Sequence, residues 1–261
     1  MQNTNTDEQR RNFADWFEAH DPYAHPVVVH TYIGDQRDVY GPLYGYPSYD
    51  GASIQTRYND VFRDTLARVQ ESAAAGRRWV VANDEQGNAQ DGVAPDSFDP
   101  EHFGIRSEVL WGNIMAGGAG VEYYFGYAHE HSDLSAQDFR SRANMWTQSR
   151  YALEFFSKFD VPFQSMSNRN DLVLESNRCL AERGNSPGVF VVYIPSGGSA
   201  AIDLSAASGS NLSVRWYDPR NGGELQVGSV SEVSALSGQS LGNAPGNLEG
   251  DWVVLVTAES R

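Results

Sequence analysis

The chain has 261 residues, of which 40% are hydrophobic and 12% aromatic. This composition is typical of folded domains with sizeable cores and argues against disorder, and the length suits two domains. The formal net charge of −15 at pH 7 argues against nucleic acid or an anionic membrane as a partner, because both would repel an acidic surface. No apolar run reaches the roughly 18 residues that would predict a membrane-spanning helix.

The charged residues are unevenly chosen, since Lys158 is the only lysine beside 18 arginines. One interpretation of this composition is a marine or halophilic bacterial source, because salt screens the self-repulsion of an acidic surface. The other interpretation is a GC-rich genome. Cys179 is the only cysteine, which excludes an intrachain disulfide and a cysteine-based metal site. Residues 1–13 lack the apolar segment of a signal peptide.

The predicted elements alternate between helix and strand over the first 160 residues. Thr6 and Gln9 form a capping-box pattern before Phe13, Trp16 and Phe17, which share one face at helical spacing. Four apolar runs then predict buried strands. In chain order we predict a helix over 6–20, strands over 26–32 and 52–58, a helix capped by Asn59 that carries Phe62, Leu66 and Val69, a strand over 77–84, a helix through Val109, Leu110, Trp111 and Met115, a strand over 120–127 and a helix over 135–159.

This alternation indicates a parallel α/β fold over residues 1–168. The loops after the predicted strands are long and aromatic, whereas those before them are short, as in a (β/α)-barrel whose site is built at the strand carboxyl ends. Residues 169–261 instead carry short apolar runs between turns rich in Gly, Ser, Asn and Pro. We therefore predict a partial TIM-type barrel of about four strands, then a small antiparallel β-sandwich, with the boundary between residues 165 and 171.

Several long segments resemble a bacterial family of glycoside-hydrolase-like (β/α)-barrels with a C-terminal β-sandwich labelled as collagen-binding. They are HPVVVHTY (25–32), RWVVANDEQG (78–87), LWGNIMAGGAGVEYYFGY (110–127), VRWYDPRNGG (214–223) and DWVVLV (251–256). The resemblance implies a glycoside hydrolase that acts on a plant or algal polysaccharide or oligosaccharide and is secreted or periplasmic. The collagen label implies little here, because nothing in this acidic sandwich suggests binding to a triple helix.

One departure from the family concerns the acid/base glutamate. In the family a strand that ends in a WNLGEEN-like segment carries this residue, just before the helix that begins here at Thr6. This sequence starts after that point, and four strands are predicted where a barrel needs eight. A fragment, a truncated gene and a homodimer that pairs two half-barrels through their open edges all remain possible interpretations. A non-catalytic carbohydrate-binding or structural remnant is the alternative function.

Glycoside hydrolysis needs two carboxyl groups, which in a retaining enzyme lie about 5–5.5 Å apart. The resemblance to barrel hydrolases with carboxylates after strands four and seven points to Glu85 as the nucleophile of a retaining enzyme. Asp84 is the alternative, because strand alternation can turn it inward, and either residue can instead bind loop backbone or an ion. Glu122 is predicted within an apolar strand, so it must be paired, with Arg57 as one partner, or protonated, unless it is a site carboxylate.

Substrate contacts are predicted around the same strand ends. His30 and Tyr32 fall on one face of the strand over 26–32, opposite Thr31, and His30 is expected to bind a sugar hydroxyl, to orient a carboxylate or to lie in the core. Aromatic rings are candidate platforms for sugar stacking, although each is as well explained as core. These rings are Tyr40, Tyr44, Trp111 and Tyr124. The full predicted substrate-binding set is His30, Tyr32, Arg57, Asn83, Trp111, Tyr124 and His129.

No cofactor or metal is predicted. The sequence contains no P-loop, no GxGxxG after a strand, no HExxH and no GxSxG motif. Residues 128–133 bring His129 and His131 close to Glu130 and Asp133, but two histidines at i and i+2 in a loop are a weak metal signal. That segment can equally line the sugar site.

Overall fold

The computed structural model describes residues 4–135 and 137–258, and the chain forms two compact units, residues 1–142 and 143–261. The first unit contains a parallel sheet of strand order β1-β2-β3-β4. Its elements are α1 (Asp7–His20), β1 (Val28–Thr31), α2 (Gln36–Tyr40), β2 (Gly51–Thr56), α3 (Val61–Ala74), β3 (Val80–Gln86), a π-helical turn (Ile105–Leu110) that continues into α4 (Trp111–Met115), and β4 (Gly120–Val121). The predicted parallel pairing of four strands is confirmed.

Helix α1 begins where the sequence predicts, because both capping-box bonds form. The Gln9 backbone N–H donates to Thr6 Oγ1 at 3.2 Å, and the Thr6 N–H donates to Gln9 Oε1 at 2.8 Å. The helix buries Arg10 and Ala14. The predicted aromatic face is not the buried face of the helix: Phe13, Trp16 and Phe17 are each 53–56% exposed.

The two faces of the parallel sheet differ sharply in burial. One face packs on the helices through Ala52, Ile54 and Val81, which share a core with residues of α1, α2 and α3. The other, which we call the open face, carries Val28 and Val80 at equivalent positions of β1 and β3, and these are 48% and 51% exposed. In a closed barrel this face would be the interior, filled by layers of side chains.

Two predicted elements differ from the structure. Strand β4 has two residues rather than the predicted eight, because the chain beyond it turns into a loop: Asp133 Oδ2 accepts bonds from the Phe125 and Gly126 N–H groups, both at 2.9 Å. The last helix, α5, begins at Ala143, and a 3₁₀ turn over Phe139–Arg142 precedes it. Helix α2 was not predicted.

The second unit is an antiparallel β-sandwich, as predicted. A sheet of order β10-β9-β12-β7-β6-β5 faces a two-stranded sheet, β11-β8, and the core between them includes Phe190, Ile202, Trp216, Leu241 and Val254. Its elements are α5 (Ala143–Lys158), β5 (Met166–Asn168), β6 (Arg178–Glu182), β7 (Val189–Ile194), β8 (Ser199–Ile202), β9 (Asn211–Tyr217), β10 (Glu232–Ser234), β11 (Gln239–Asn243) and β12 (Trp252–Ala258).

Helix α5 packs on the sandwich from outside. The Tyr217 hydroxyl donates to the Tyr151 carbonyl at 2.8 Å, and the Phe155 and Tyr217 rings lie 5.1 Å apart. The predicted domain boundary at residues 168–169 stays a prediction, while the compact units divide after Arg142. Across the described ranges, no helix has the length and apolar character needed to cross a bilayer.

Candidate functional site

The carboxyl ends of the four parallel strands lie at the same edge of the sheet, where (β/α)-barrels carry their sites. The segments that leave this edge are residues 32–35, 57–60, 87–104 and 122–135. They contain nine acidic residues and one arginine, Arg57. This edge is therefore polar and strongly acidic.

A β-bulge determines which acid of β3 joins the open face. Ile54 pairs with Asn83 and the next residue, Gln55, pairs with Glu85, so that Asp84 is the extra residue. Without the bulge, alternation would turn Glu85 toward the helices. With it, Glu85 shares the open face with Gln55, in the manner of bulges that re-aim side chains beside active sites.

Two hydrogen-bonded pairs line this part of the open face. The Gln55 Nε2 donates to Glu85 Oε1 at 2.8 Å, and Glu85 is half-buried. On the same face, two residues before Gln55 in β2, Ser53 pairs with His30 of β1, and His30 Nδ1 lies 3.0 Å from Ser53 Oγ. The structure therefore places the predicted residues His30 and Glu85 on one surface, together with two polar residues that the sequence did not single out.

Asn83 points toward the helices rather than the open face. It is fully buried and donates to the Ile54 carbonyl and to Thr56 Oγ1, at 3.2 and 2.9 Å. Gln86 is equally buried and donates to the Glu122 carbonyl at 2.7 Å. Asn83 thus joins β2 to β3, and its predicted role as a sugar contact is not supported.

Three predicted stacking rings belong to the core. Trp111 and Tyr40 are fully buried, and the Tyr40 hydroxyl donates to the Ser53 carbonyl at 2.9 Å. Tyr44 donates to Glu71 at 2.9 Å. Burial raises the pKa of both tyrosine hydroxyls well above the ordinary value. The core interpretation therefore accounts for Tyr40, Tyr44 and Trp111.

The predicted pairing of Glu122 with Arg57 is wrong. Strand β4 ends at Val121, and both side chains are exposed. Within residues 4–135 and 137–258, no ion pair joins the two. Because the Glu122 side chain is exposed, it needs no buried partner. Its role as a site carboxylate and that of Arg57 as a substrate contact stay predictions.

The loops that follow β3 and β4 present aromatic rings at the same edge. The Tyr124 ring meets Tyr127 at 6.0 Å, and its hydroxyl donates to the Ala89 carbonyl at 3.0 Å. Phe98 is 72% exposed, with its ring 4.6 Å from that of His129. Together with the half-exposed Tyr32, these rings offer apolar surface for sugar rings. Phe98 was missed because its loop has no periodicity.

The acidic and histidine cluster over 128–133 is used to fold its own loop. Asp133 accepts the two backbone bonds already described. Arg142, which is fully buried, donates from Nη1 to the carbonyls of Glu130 and His131 at 2.9 and 3.0 Å. Among the residues that the structure describes, no three histidine, cysteine or acidic side chains form a group able to hold a metal ion.

Comparisons with known proteins agree with this architecture. Residues 157–257 match the family described as "Putative collagen-binding domain of a collagenase". A glycoside hydrolase family 5 structure from Bacteroides vulgatus ATCC 8482 superposes with a TM-score of 0.66 at 19% identity, over 98% of this chain and 60% of that one. A second structure, named "Glycoside hydrolase", gives 0.66 at 18% identity over 97% and 62%. Eubacterium rectale Amy13B gives 0.55 at 12% identity over 99% and 58%. No curated protein matches the chain.

At these identities the structural likeness shows the fold. The resemblance to glycoside-hydrolase-like barrels with a C-terminal sandwich is confirmed, as is the class of partial TIM-type barrel plus antiparallel sandwich. The chain spans about 60% of the length of the solved structures that it matches. Activity and substrate are therefore matters for proposal.

Proposed function

We propose that the chain is part of a retaining glycoside hydrolase that acts on a plant or algal polysaccharide or oligosaccharide, with Glu85 as its nucleophile. The observation that carries the proposal is the placement of Glu85. A bulge turns this carboxylate onto the open face, at the carboxyl end of a strand in a fold shared with glycoside hydrolases. The same bulge favours Glu85 over Asp84.

In the proposed reaction a Glu85 oxygen attacks the anomeric carbon and forms a glycosyl ester, while the bond to the leaving oxygen breaks. A second carboxyl group protonates that oxygen, then takes a proton from the water that hydrolyses the ester. By the family resemblance this acid/base glutamate belongs to a strand that precedes the position of Thr6. Glu85 would thus supply one half of the carboxylate pair.

The half-exposed Val28 and Val80 support completion of the barrel by a second half, since apolar residues of a barrel interior are normally buried. Either a longer protein or a second copy of this chain could supply that half. Sedimentation velocity distinguishes them, because a monomer at all concentrations would reject the homodimer. From the resemblance we also propose that the protein is secreted or periplasmic. From the net charge of −15 we propose a marine or halophilic source.

The test uses dinitrophenyl glycosides of common hexoses and pentoses. Their leaving group departs without protonation, so Glu85 can act even where the acid/base residue is absent. We expect a burst of dinitrophenolate and a sugar ester on the peptide that contains Glu85, detected by mass spectrometry. Glu85→Gln should lower the rate by roughly a thousandfold, about 4 kcal/mol of barrier, without changing the melting temperature.

Glu122→Gln and Asp84→Asn are the matched controls, because both remove a carboxylate at the same edge. We expect each to retain activity within about tenfold of the unmodified chain. Glu85→Gln with activity in that range and an unchanged melting temperature would remove Glu85 as the nucleophile. A chain that is inert on every activated glycoside, yet binds glycans, would instead support the non-catalytic alternative.

A further inference from the structure

Gln55 directly contacts the proposed nucleophile. It lies opposite Glu85 in the β2–β3 register, and its Nε2 donates to Glu85 Oε1 at 2.8 Å. Among the described residues, the other carboxylate oxygen, Oε2, accepts no hydrogen bond. A neutral amide therefore fixes one oxygen of the Glu85 carboxyl group without an ion pair, and the other oxygen is not engaged by it.

Gln55 is itself fixed through its backbone. The sheet register breaks at the bulge, and the Gln55 carbonyl accepts a bond from Gln36 Nε2 at 2.6 Å. Gln36 is only 5% exposed, although it lies on the short helix α2 that follows β1. A buried polar group needs such a partner, and here Gln36 supplies it to the carbonyl of the bulged pair.

Gln36 is in turn held by α3. Arg68 Nη1 donates to Gln36 Oε1 at 3.4 Å, and Arg68 Nη2 lies 2.8 Å from Glu71. Arg68 is 7% exposed. The polar contacts thus run from a buried arginine on α3, through the amide on α2, to the strand residue that contacts Glu85. Each contact restricts the next, as supporting residues around a site must.

We infer that Gln55 is a positioning residue for Glu85 and that Gln36 fixes Gln55 at the bulge. The inference rests on the proposed role of Glu85. In that role one oxygen of the Glu85 carboxylate must be anchored, so that the other can attack an anomeric carbon on the open face. A misplacement of about 1 Å can cost about a hundredfold in rate.

The kinetic test compares Gln55→Leu, Gln36→Leu and the exposed control Gln70→Leu on the activated glycoside that the unmodified chain turns over best. We expect kcat to fall roughly 10- to 100-fold for the first two with little change in KM, and no change for the control. Gln55→Glu should recover activity only at acidic pH, because two adjacent carboxyl groups can share one proton but cannot both ionise. A Gln55→Leu variant within twofold of the unmodified chain would overturn the inference.

A second measurement separates this inference from the proposed function, because it needs no turnover. The side-chain amide protons of Gln55 are followed by ¹H–¹⁵N NMR, with the assignment fixed by their loss in Gln55→Leu. We expect one proton to be shifted downfield and slow to exchange, and to lose both properties in Glu85→Ala but not in Glu122→Ala. If the protein is inactive but the Gln55 amide shows this response, the proposed hydrolase activity is rejected and the contact between Gln55 and Glu85 is retained. If the Gln55 amide signal does not change in Glu85→Ala, the contact itself is rejected.

Discussion

Two Arg–Asp pairs in the sandwich unit show how burial determines what an ion pair contributes to stability. Asp218 accepts bonds from Arg220 Nε and Nη2 at 2.7 and 3.0 Å and from Asn221 at 3.0 Å, with only 12% of its side chain exposed. Asp171 accepts similar bonds from Arg169, but its side chain is 62% exposed. Solvent screens the second pair far more than the first.

We predict that Asp218→Asn destabilises the protein by about 2 kcal/mol at pH 7, because bonds to a shielded carboxylate are strong. Burial raises the pKa of the Asp218 carboxyl, but the bonds from Arg220 and Asn221 outweigh it and hold this pKa below the ordinary value. A depressed pKa contributes stability above the unfolded value, about 3.9, which is lost as pH falls through the folded value. The stabilities of the variant and the unmodified protein should therefore converge as the pH falls below the folded pKa of Asp218.

Urea unfolding at pH 7 and at a series of acidic pH values measures this difference. The matched control is Asp171→Asn, which removes the same charge from an exposed pair of the same spacing and should cost less than about 0.5 kcal/mol. Equal costs for the two substitutions at pH 7 would show that burial does not set the strength of the Asp218 contacts.

At the scale of elements, the loops after β3 and β4 cross at two glycines. Val93 N–H donates to the Tyr124 carbonyl at 2.7 Å, and the Tyr127 N–H donates to the Gln90 carbonyl at 3.0 Å. A Cβ on Gly92 would lie 2.3 Å from the Gly126 nitrogen, and one on Gly126 would lie 2.5 Å from the Gln90 carbonyl oxygen. Both glycines also have positive φ, so the crossing depends on them.

We predict that Gly92→Ala destabilises the first unit by more than about 2 kcal/mol and makes the segment over 87–104 sensitive to protease, since backbone atoms cannot yield to a methyl group. Gly104→Ala is the control. It has φ −61° at the start of a helical turn, and its Cβ would meet nothing within 4 Å, so it should be neutral or slightly stabilising. Similar proteolysis rates for the two variants would contradict the prediction.

Elements were predictable from sequence where a local signal coincides with tertiary packing. The capping box located α1, and the apolar runs located β1, β2 and β3 to within a few residues. The bulge at Asp84 was not predictable, because it depends on pairing with β2 rather than on alternation within β3. The same holds for Gln55 and Gln36, whose importance comes from contacts between separate strands and helices. Burial of Trp111 and Asn83 likewise depends on which face the sheet turns to the helices.

At the scale of the whole molecule, the net charge of −15 affects the stability of the folded state. Self-repulsion among like charges destabilises a compact state, and salt screens it over a Debye length of about 8 Å at physiological ionic strength. The repulsion also fades as the pH approaches the pI of about 4.7, where the net charge vanishes.

We therefore predict that raising NaCl from 0.05 to 1 M at pH 8 increases the temperature of the first unfolding transition by roughly 5 °C, as a gain of about 1 kcal/mol would. Near pH 5 the same addition should change it by less than half as much, because little charge remains to be screened. Differential scanning calorimetry measures both shifts on one preparation. The comparison between pH values separates screening from the general effect of salt on apolar hydration, which does not depend on the protein's charge. An equal increase at pH 5 and pH 8 would assign the stabilisation to apolar burial and leave the acidic surface without an energetic role in salt tolerance.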